Sequence, residues 1–75
     1  MWKEGALKVY DNIFHYWMKV YEGPSEFGIN GGKVSKLMLK RNSKIVCNYD
    51  RGWDVKPADP DTEHAVELLL HSNNY

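Results

Sequence analysis

The sequence predicts an α+β domain: a four-stranded antiparallel sheet made of two hairpins, with one C-terminal helix packed on one face. Three observations point there. Residues 2 to 21 and 33 to 50 alternate apolar and polar side chains around short polar breaks, the period of half-buried strands. Residues 60 to 72 instead place Ala65, Val66, Leu69 and Leu70 on one stripe at helical spacing. With 75 residues there is chain for one small core, so 1 to 75 reads as a single domain, close to the size at which burying more surface in an oligomer becomes useful.

The opening ribbon is the most informative segment. A two-residue turn at Asp11-Asn12 sets Val9 against Phe14, Leu7 against Tyr16, Gly5 against Met18 and Lys3 against Val20, an almost wholly apolar face that belongs to the core. The other face pairs Tyr10 with Ile13, Lys8 with His15, Ala6 with Trp17, Glu4 with Lys19 and Trp2 with Tyr21. Half of it is aromatic, which marks it as a contact surface.

Between the hairpins, Glu22 to Gly32 has neither period and exceeds the two to five residues of ordinary hairpin loops. Its Gly28, Gly31 and Gly32 imply positive φ or close backbone approach, and Phe27, Ile29 and Asn30 join the candidate contact residues. The second hairpin has two registers. A two-residue Asn42-Ser43 turn mixes both faces. A three-residue loop, Asn42 to Lys44, opposes Arg41 with Ile45, Leu39 with Cys47 and Leu37 with Tyr49, leaves Met38 with Asn48 and Lys40 with Val46, and pairs Lys36 with Asp50. The second is preferred, because one of its faces is cleanly apolar. Asp50 to Asp54 then reads as a turn. Asp59 is a good N-cap before Pro60, Asp61 and Glu63 oppose the helix dipole, and Asn73-Asn74 marks the stop. The expected core joins Leu7, Val9, Phe14, Tyr16, Met18, Val20, Leu37, Leu39, Ile45 and Cys47 to Val66, Leu69 and Leu70.

Composition narrows the function. Charges balance at ten of each sign, so no global field steers the chain to nucleic acid or an anionic membrane. The single cysteine, Cys47, makes no internal disulfide, and no apolar run approaches the ~18 residues of a membrane span or resembles a signal peptide. A cytoplasmic location, with no membrane partner, is expected.

The chemical motifs fail on inspection. His64 and His71 stand seven residues apart, about 10.5 Å along a helix, too far to share one ion; Glu67 with His71 gives two ligands at most, so no metal is expected. Asn48 to Asp54 offers glycine where a calcium loop needs an oxygen ligand. Gly28 to Lys33 lacks the glycine and the serine or threonine of a Walker loop, at Phe27 and Val34. Its bend still supplies an alternative site: Gly31, Gly32 and Lys33 around an anion, with Lys36 and Lys40 beside exposed aromatics on the outer sheet face. No histidine forms a nucleophile pattern with Cys47, which alternation buries, and Ser25 and Ser35 carry no signature. No catalytic residue and no cofactor are expected, and the chain is read as a non-enzyme.

Two stretches, Glu22-Gly-Pro-Ser-Glu-Phe-Gly-Ile-Asn-Gly-Gly-Lys-Val-Ser-Lys-Leu37 and Asn48-Tyr-Asp-Arg-Gly-Trp-Asp54, resemble a small family of unknown function associated with Gram-positive bacteria and their phages. The resemblance spans nearly the whole chain and transfers no catalytic residue. It implies a stand-alone accessory protein of phage or prophage type, a class rich in inhibitors of host defence. The leading expectation is therefore a binding protein that occludes a protein partner or sequesters a ligand, through Trp2, His15, Trp17, Tyr21, Phe27, Ile29 and Asn30. A nucleotide or nucleic-acid module is the alternative, with nucleic acid ranked below a small nucleotide, and a structural homo-oligomer is the third reading.

Overall fold

The computed structural model describes residues 1–73. Five strands, β1 (Trp2–Val9), β2 (Asn12–Val20), β3 (Val34–Arg41), β4 (Lys44–Asp50) and β5 (Trp53–Val55), are followed by a helix, α1 (Pro60–Asn73). The strands form one antiparallel sheet in the order β1-β2-β3-β4-β5, a meander, which fixes a strand order that the sequence left open. The α+β class and the single C-terminal helix hold. The count of four strands does not: Trp53–Val55, expected within a turn, adds a fifth by pairing Trp53 with Tyr49 and Val55 with Asn48. Three residues are too short to show alternation. The reversal before them is tight, with Arg51 at φ 59° and the Asp50 amide donating to Gly52 O at 2.9 Å.

The first hairpin turns at Tyr10-Asp11, one residue earlier than expected, so Leu7 faces Phe14, Gly5 faces Tyr16 and Lys3 faces Met18. The slide is two residues, which leaves every side chain on its expected face. Gly5 explains the preference. A Cβ there would lie 2.8 Å from the Tyr16 hydroxyl, so the glycine makes room for that ring, which the expected register would have set against Leu7.

The second hairpin combines both registers considered for it. Its turn is Asn42-Ser43, with both residues at positive φ as a type I′ turn requires, and a bulge then moves the ladder into the register of Leu39 with Cys47, Leu37 with Tyr49 and Lys36 with Asp50. Lys40 consequently faces Ile45, not Val46. The bulge places Val46 and Cys47 both in the core and turns Ile45 out to 49% exposure, correcting its assignment to the interior. The Val46 carbonyl takes the Ala58 amide at 3.1 Å.

The helix lies across the inner face over β1, β2 and β3. Ala65, Val66, Leu69 and Leu70 meet Val9, Phe14, Met18, Leu37 and Leu39, with Leu7 and Tyr16 packed at the margin. Asp59 caps the helix through its Oδ1, which accepts from the Thr62 amide and hydroxyl at 2.8 Å each. Its other oxygen pairs with Arg41 on β3, Asp61 accepts from Asn12 Nδ2 at 2.6 Å, and Lys3 on β1 donates to Asn73 at 2.7 Å. Both ends of the helix are thus tied to the sheet. Asn74, half of the expected stop, lies outside the described residues.

Candidate functional site

Helix and long loop share one side of the sheet. Ile29 is 2% exposed within the core, and the Tyr49 hydroxyl donates to Phe27 O at 2.9 Å. Ile29 is therefore a core residue and not a contact residue, because a short 3-10 turn (Ile29–Gly31) folds it inward. Phe27 and Asn30 remain exposed, with the Arg51 guanidinium 5.9 Å from the Phe27 ring. Beside them a cavity of about 220 Å³ opens between loop, β5 and helix, lined by Asn30, Trp53, Pro57, Glu63, Val66, Glu67 and Leu70 among others. Trp53 stands at its edge, its ring 5.0 Å from that of Tyr49 in a T-shaped contact.

The loop's glycines serve the loop itself. The amides of Gly28, Gly31 and Gly32 donate to Ser25 O, Gly28 O and Ile29 O, each at 3.0 Å, and Ser25 N donates to Gly32 O at 3.1 Å. A Cβ on Gly28 would fall 1.9 Å from Gly32 O, and Gly31 has φ +70°, so close approach and positive φ are both realised. Amides engaged in this way leave Gly31 and Gly32 without donors aimed at an anion. Lys33 is half-buried, and its carbonyl takes the Tyr21 amide at 2.9 Å.

The opposite side of the sheet carries the rest of the candidate residues. Register arranges them in rows across the strands. Trp2, Lys19, Lys36 and Asp50 form the first, Glu4, Trp17, Met38, Asn48 and Val55 the second, Ala6, His15, Lys40 and Ile45 the third, and Lys8 with Ile13 the last. Lysines stand beside the rings. Lys19 Nζ lies 5.8 Å from the Trp2 ring centroid and 5.2 Å from that of Tyr21, Lys36 lies 6.0 Å from Trp2, and Lys40 lies 5.7 Å from Trp17. A hydrogen bond from Lys19, reinforced by its charge, lowers the pKa of the Tyr21 hydroxyl. Lys36 also meets Asp50 at 3.7 Å, the pair expected from the sequence.

Two shallow depressions flank Trp17. One, of about 150 Å³, is lined by Trp2, Trp17, Lys36, Met38, Asn48 and Asp50 with parts of Leu37 and Tyr49; the other, of about 260 Å³, by His15, Trp17, Lys40 and Ser43. Trp2, His15, Trp17, Tyr21, Lys36 and Lys40 therefore come together, while Phe27, Asn30 and Lys33 belong to the loop, which packs on the inner side. Sequence reasoning passed over Met38, Asn48 and Asp50 as site residues and misplaced Ile45. Met38, Asn48 and Asp50 join the site through the register across β3 and β4 that the preferred sequence pairing already contained, whereas the place of Ile45 depends on the bulge.

Among the described residues no three histidine, cysteine or acidic side chains converge as metal ligands. Cys47 is buried, and desolvation pushes its thiol pKa up to about 12, far from a reactive thiolate. Among the described residues, no helix is long and apolar enough to cross a membrane.

Fold and site together define a small α+β protein with one closed face and one open, aromatic face. The chain belongs to the family described as Domain of unknown function (DUF7678), which matches residues 1–74. No curated protein and no solved structure matches it.

Proposed function

We propose that this is a non-enzymatic binding protein whose outer sheet face docks against a protein partner and occludes it. One observation carries the reading. Trp2, Trp17, Tyr21, Ile13 and Ile45 share a face that neither helix nor loop covers, and rings of this kind concentrate binding energy at interfaces. The charges on that face have both signs, Lys8, Lys19, Lys36 and Lys40 with Glu4 and Asp50, which suits a protein surface better than a polyanion. The resemblance of the two distinctive stretches to a family of Gram-positive bacteria and their phages supports an accessory protein of phage or prophage type, an inhibitor of a host protein.

The test is capture from a Gram-positive host lysate by wild type, Trp17→Ala and Glu67→Ala, the last lying on the helix side. The partner is expected with wild type and Glu67→Ala and lost with Trp17→Ala, all three giving the same circular dichroism. Equal recovery by folded Trp17→Ala rejects the outer face as the docking surface.

The lysine-ring pairs favour a second reading, a nucleotide or single-stranded nucleic-acid platform that works by stacking and phosphate contacts. It predicts quenching of tryptophan fluorescence by an oligothymidylate, with affinity falling steeply as salt is added. Absence of quenching, or quenching insensitive to salt, rejects it.

A further inference from the structure

The free edge of β1 is the feature that neither the docking face nor the core accounts for. β1 is the first strand of the sheet and has a neighbour on one side only. Its hydrogen-bond phase is fixed at the start of the ribbon, where Met1 and Val20 exchange two bonds, N to O, at 2.8 Å each. In an antiparallel pair such doubly bonded positions recur at every second residue. Residues 3, 5, 7 and 9 therefore direct their amides and carbonyls to β2, and Trp2, Glu4, Ala6 and Lys8 direct theirs away from it. Among the described residues, no backbone bond outside the strand ladders reaches these four. All four are exposed. A strand of eight residues with an open row of donors and acceptors is long for an edge without a partner.

The charges on that edge say what fits it. Glu4 and Lys8 are four residues apart on an extended strand, about 13 Å, so they cannot neutralise each other within one chain. A two-fold antiparallel pairing of β1 with β1 of a second copy, centred on Ala6, sets each Glu4 opposite the other copy's Lys8 on the outer face. It also brings Glu4, Ala6 and Lys8, three of the four residues with free backbone groups, into doubly bonded positions. Centring on Glu4 or on Lys8 opposes like charges, and centring between these positions sets both charged groups against neutral neighbours. We infer that this protein forms a two-fold dimer through β1, with Ala6 on the axis and Glu4 paired to Lys8 of the second copy, giving one continuous ten-stranded sheet. Both helices then lie on the same side of that sheet, where Leu7 is half-buried at the margin of the core and Leu68 is 44% exposed. By helical spacing Leu68 lies on the flank opposite Glu63, Glu67 and Leu70, which face the loop cavity, and so on the side nearer β1. Both outer faces also point the same way, so the rows of Trp17 in the two copies form one longer platform.

The experiment combines mass and amide exchange across protein concentration. Sedimentation equilibrium of wild type is expected to approach twice the 8.7 kDa chain mass at high concentration, while the amides of Glu4, Ala6 and Lys8 gain protection in step with dimer formation. Glu4→Lys and Lys8→Glu each replace two attractive pairs by two repulsive ones and are expected to weaken the dimer about tenfold or more. The double variant Glu4→Lys/Lys8→Glu restores opposite charges and is expected to recover wild-type association. These side chains are exposed on the edge, so each variant keeps the monomer fold, checked by circular dichroism. A monomeric mass at every concentration, or a double variant no better than either single one, overturns the inference. Dissociation by Trp17→Ala with no effect of Glu4→Lys also overturns it, by moving self-association to the outer face. The outer-face reading stands or falls separately, on partner capture by a protein of unchanged mass.

Discussion

Phe14 and Trp17 stand three residues apart on β2, point to opposite sides of the sheet and should respond differently to truncation. Phe14 is 0% exposed, faces Leu7 across the hairpin and has the Arg41 guanidinium 5.5 Å from its ring. Phe14→Ala removes the ring and leaves a cavity sealed by the helix, at a cost of about 3–5 kcal/mol. A domain of this length holds roughly 4–11 kcal/mol in all, so the loss takes about a quarter of its stability at least. Trp17 is half-buried, flanked by Glu4 and Met38, with the Lys40 ammonium 5.7 Å from its ring. Its truncation encloses no cavity. It forfeits cross-strand contacts and the approach of Lys40, about 1 kcal/mol. With a urea slope of about 1 kcal/mol per molar, Phe14→Ala should lower the midpoint by about 3–5 M and Trp17→Ala by about 1 M. Equal shifts in a protein that stays monomeric would mean that Trp17 is part of the interior, and the docking face would be lost with it.

Three further outcomes follow from single side chains. Gly28→Ala should open the loop, since its Cβ would meet Gly32 O at 1.9 Å; the Gly31 and Gly32 amides should then exchange much faster with deuterium, and unchanged protection would refute the role given to this glycine. Asp59 should make stability acid-sensitive. The Arg41 hydrogen bond, with the Thr62 amide and hydroxyl, holds its carboxyl down at about 2 against an ordinary 3.8, so its contribution is complete above about 4 and is lost as pH falls through 2. Thermal melts of Asp59→Ala should lack that part of the acid dependence. Burial holds the Cys47 thiol protonated up to about 12 against an ordinary 9.0, so the unfolded chain releases this proton first and stability should fall as pH rises from about 9. At pH 8 the thiol should react with a disulfide reagent only as fast as the core opens, and prompt labelling of the folded protein would show that Cys47 is not sealed.

Much of this architecture was legible because period and parity are local properties. Val9, Phe14 and Met18 go inward, and Trp2, His15 and Trp17 outward, whether the hairpin turns at Asp11-Asn12 or at Tyr10-Asp11, since a slide of two residues conserves faces. Asp59 and Pro60 announced the helix start through capping chemistry that needs no knowledge of the rest of the fold. What escaped depends on contacts distant in sequence. The space beside Gly5 matters only once Tyr16 lies against it, and the bulge that exchanges Ile45 for Val46 reflects a choice between a favourable two-residue turn and a favourable register further along the strands. The structure takes both, at the expense of one irregular residue. Ile29 was misread for the same reason: nothing within Gly28 to Gly32 reveals that the loop folds back toward the helix side.

The lysines beside the indoles are the strongest argument against an outer docking face, because they could equally be a permanent shield that keeps exposed rings soluble. Magnitudes distinguish the two roles. A lysine beside an exposed ring contributes about 0.5–1 kcal/mol, whereas full burial of a large apolar side chain contributes about 1.5–3 kcal/mol. A partner that covers Trp17 therefore gains more than the contact with Lys40 holds, and the flexible ammonium can swing aside to the rim, where it keeps its water. Trp2 is more closely guarded, with Lys19 and Lys36 both near its ring and Lys36 anchored by Asp50. Docking energy should accordingly centre on Trp17, between the two depressions, with Trp2, Lys19 and Lys36 forming the rim that selects a partner by charge.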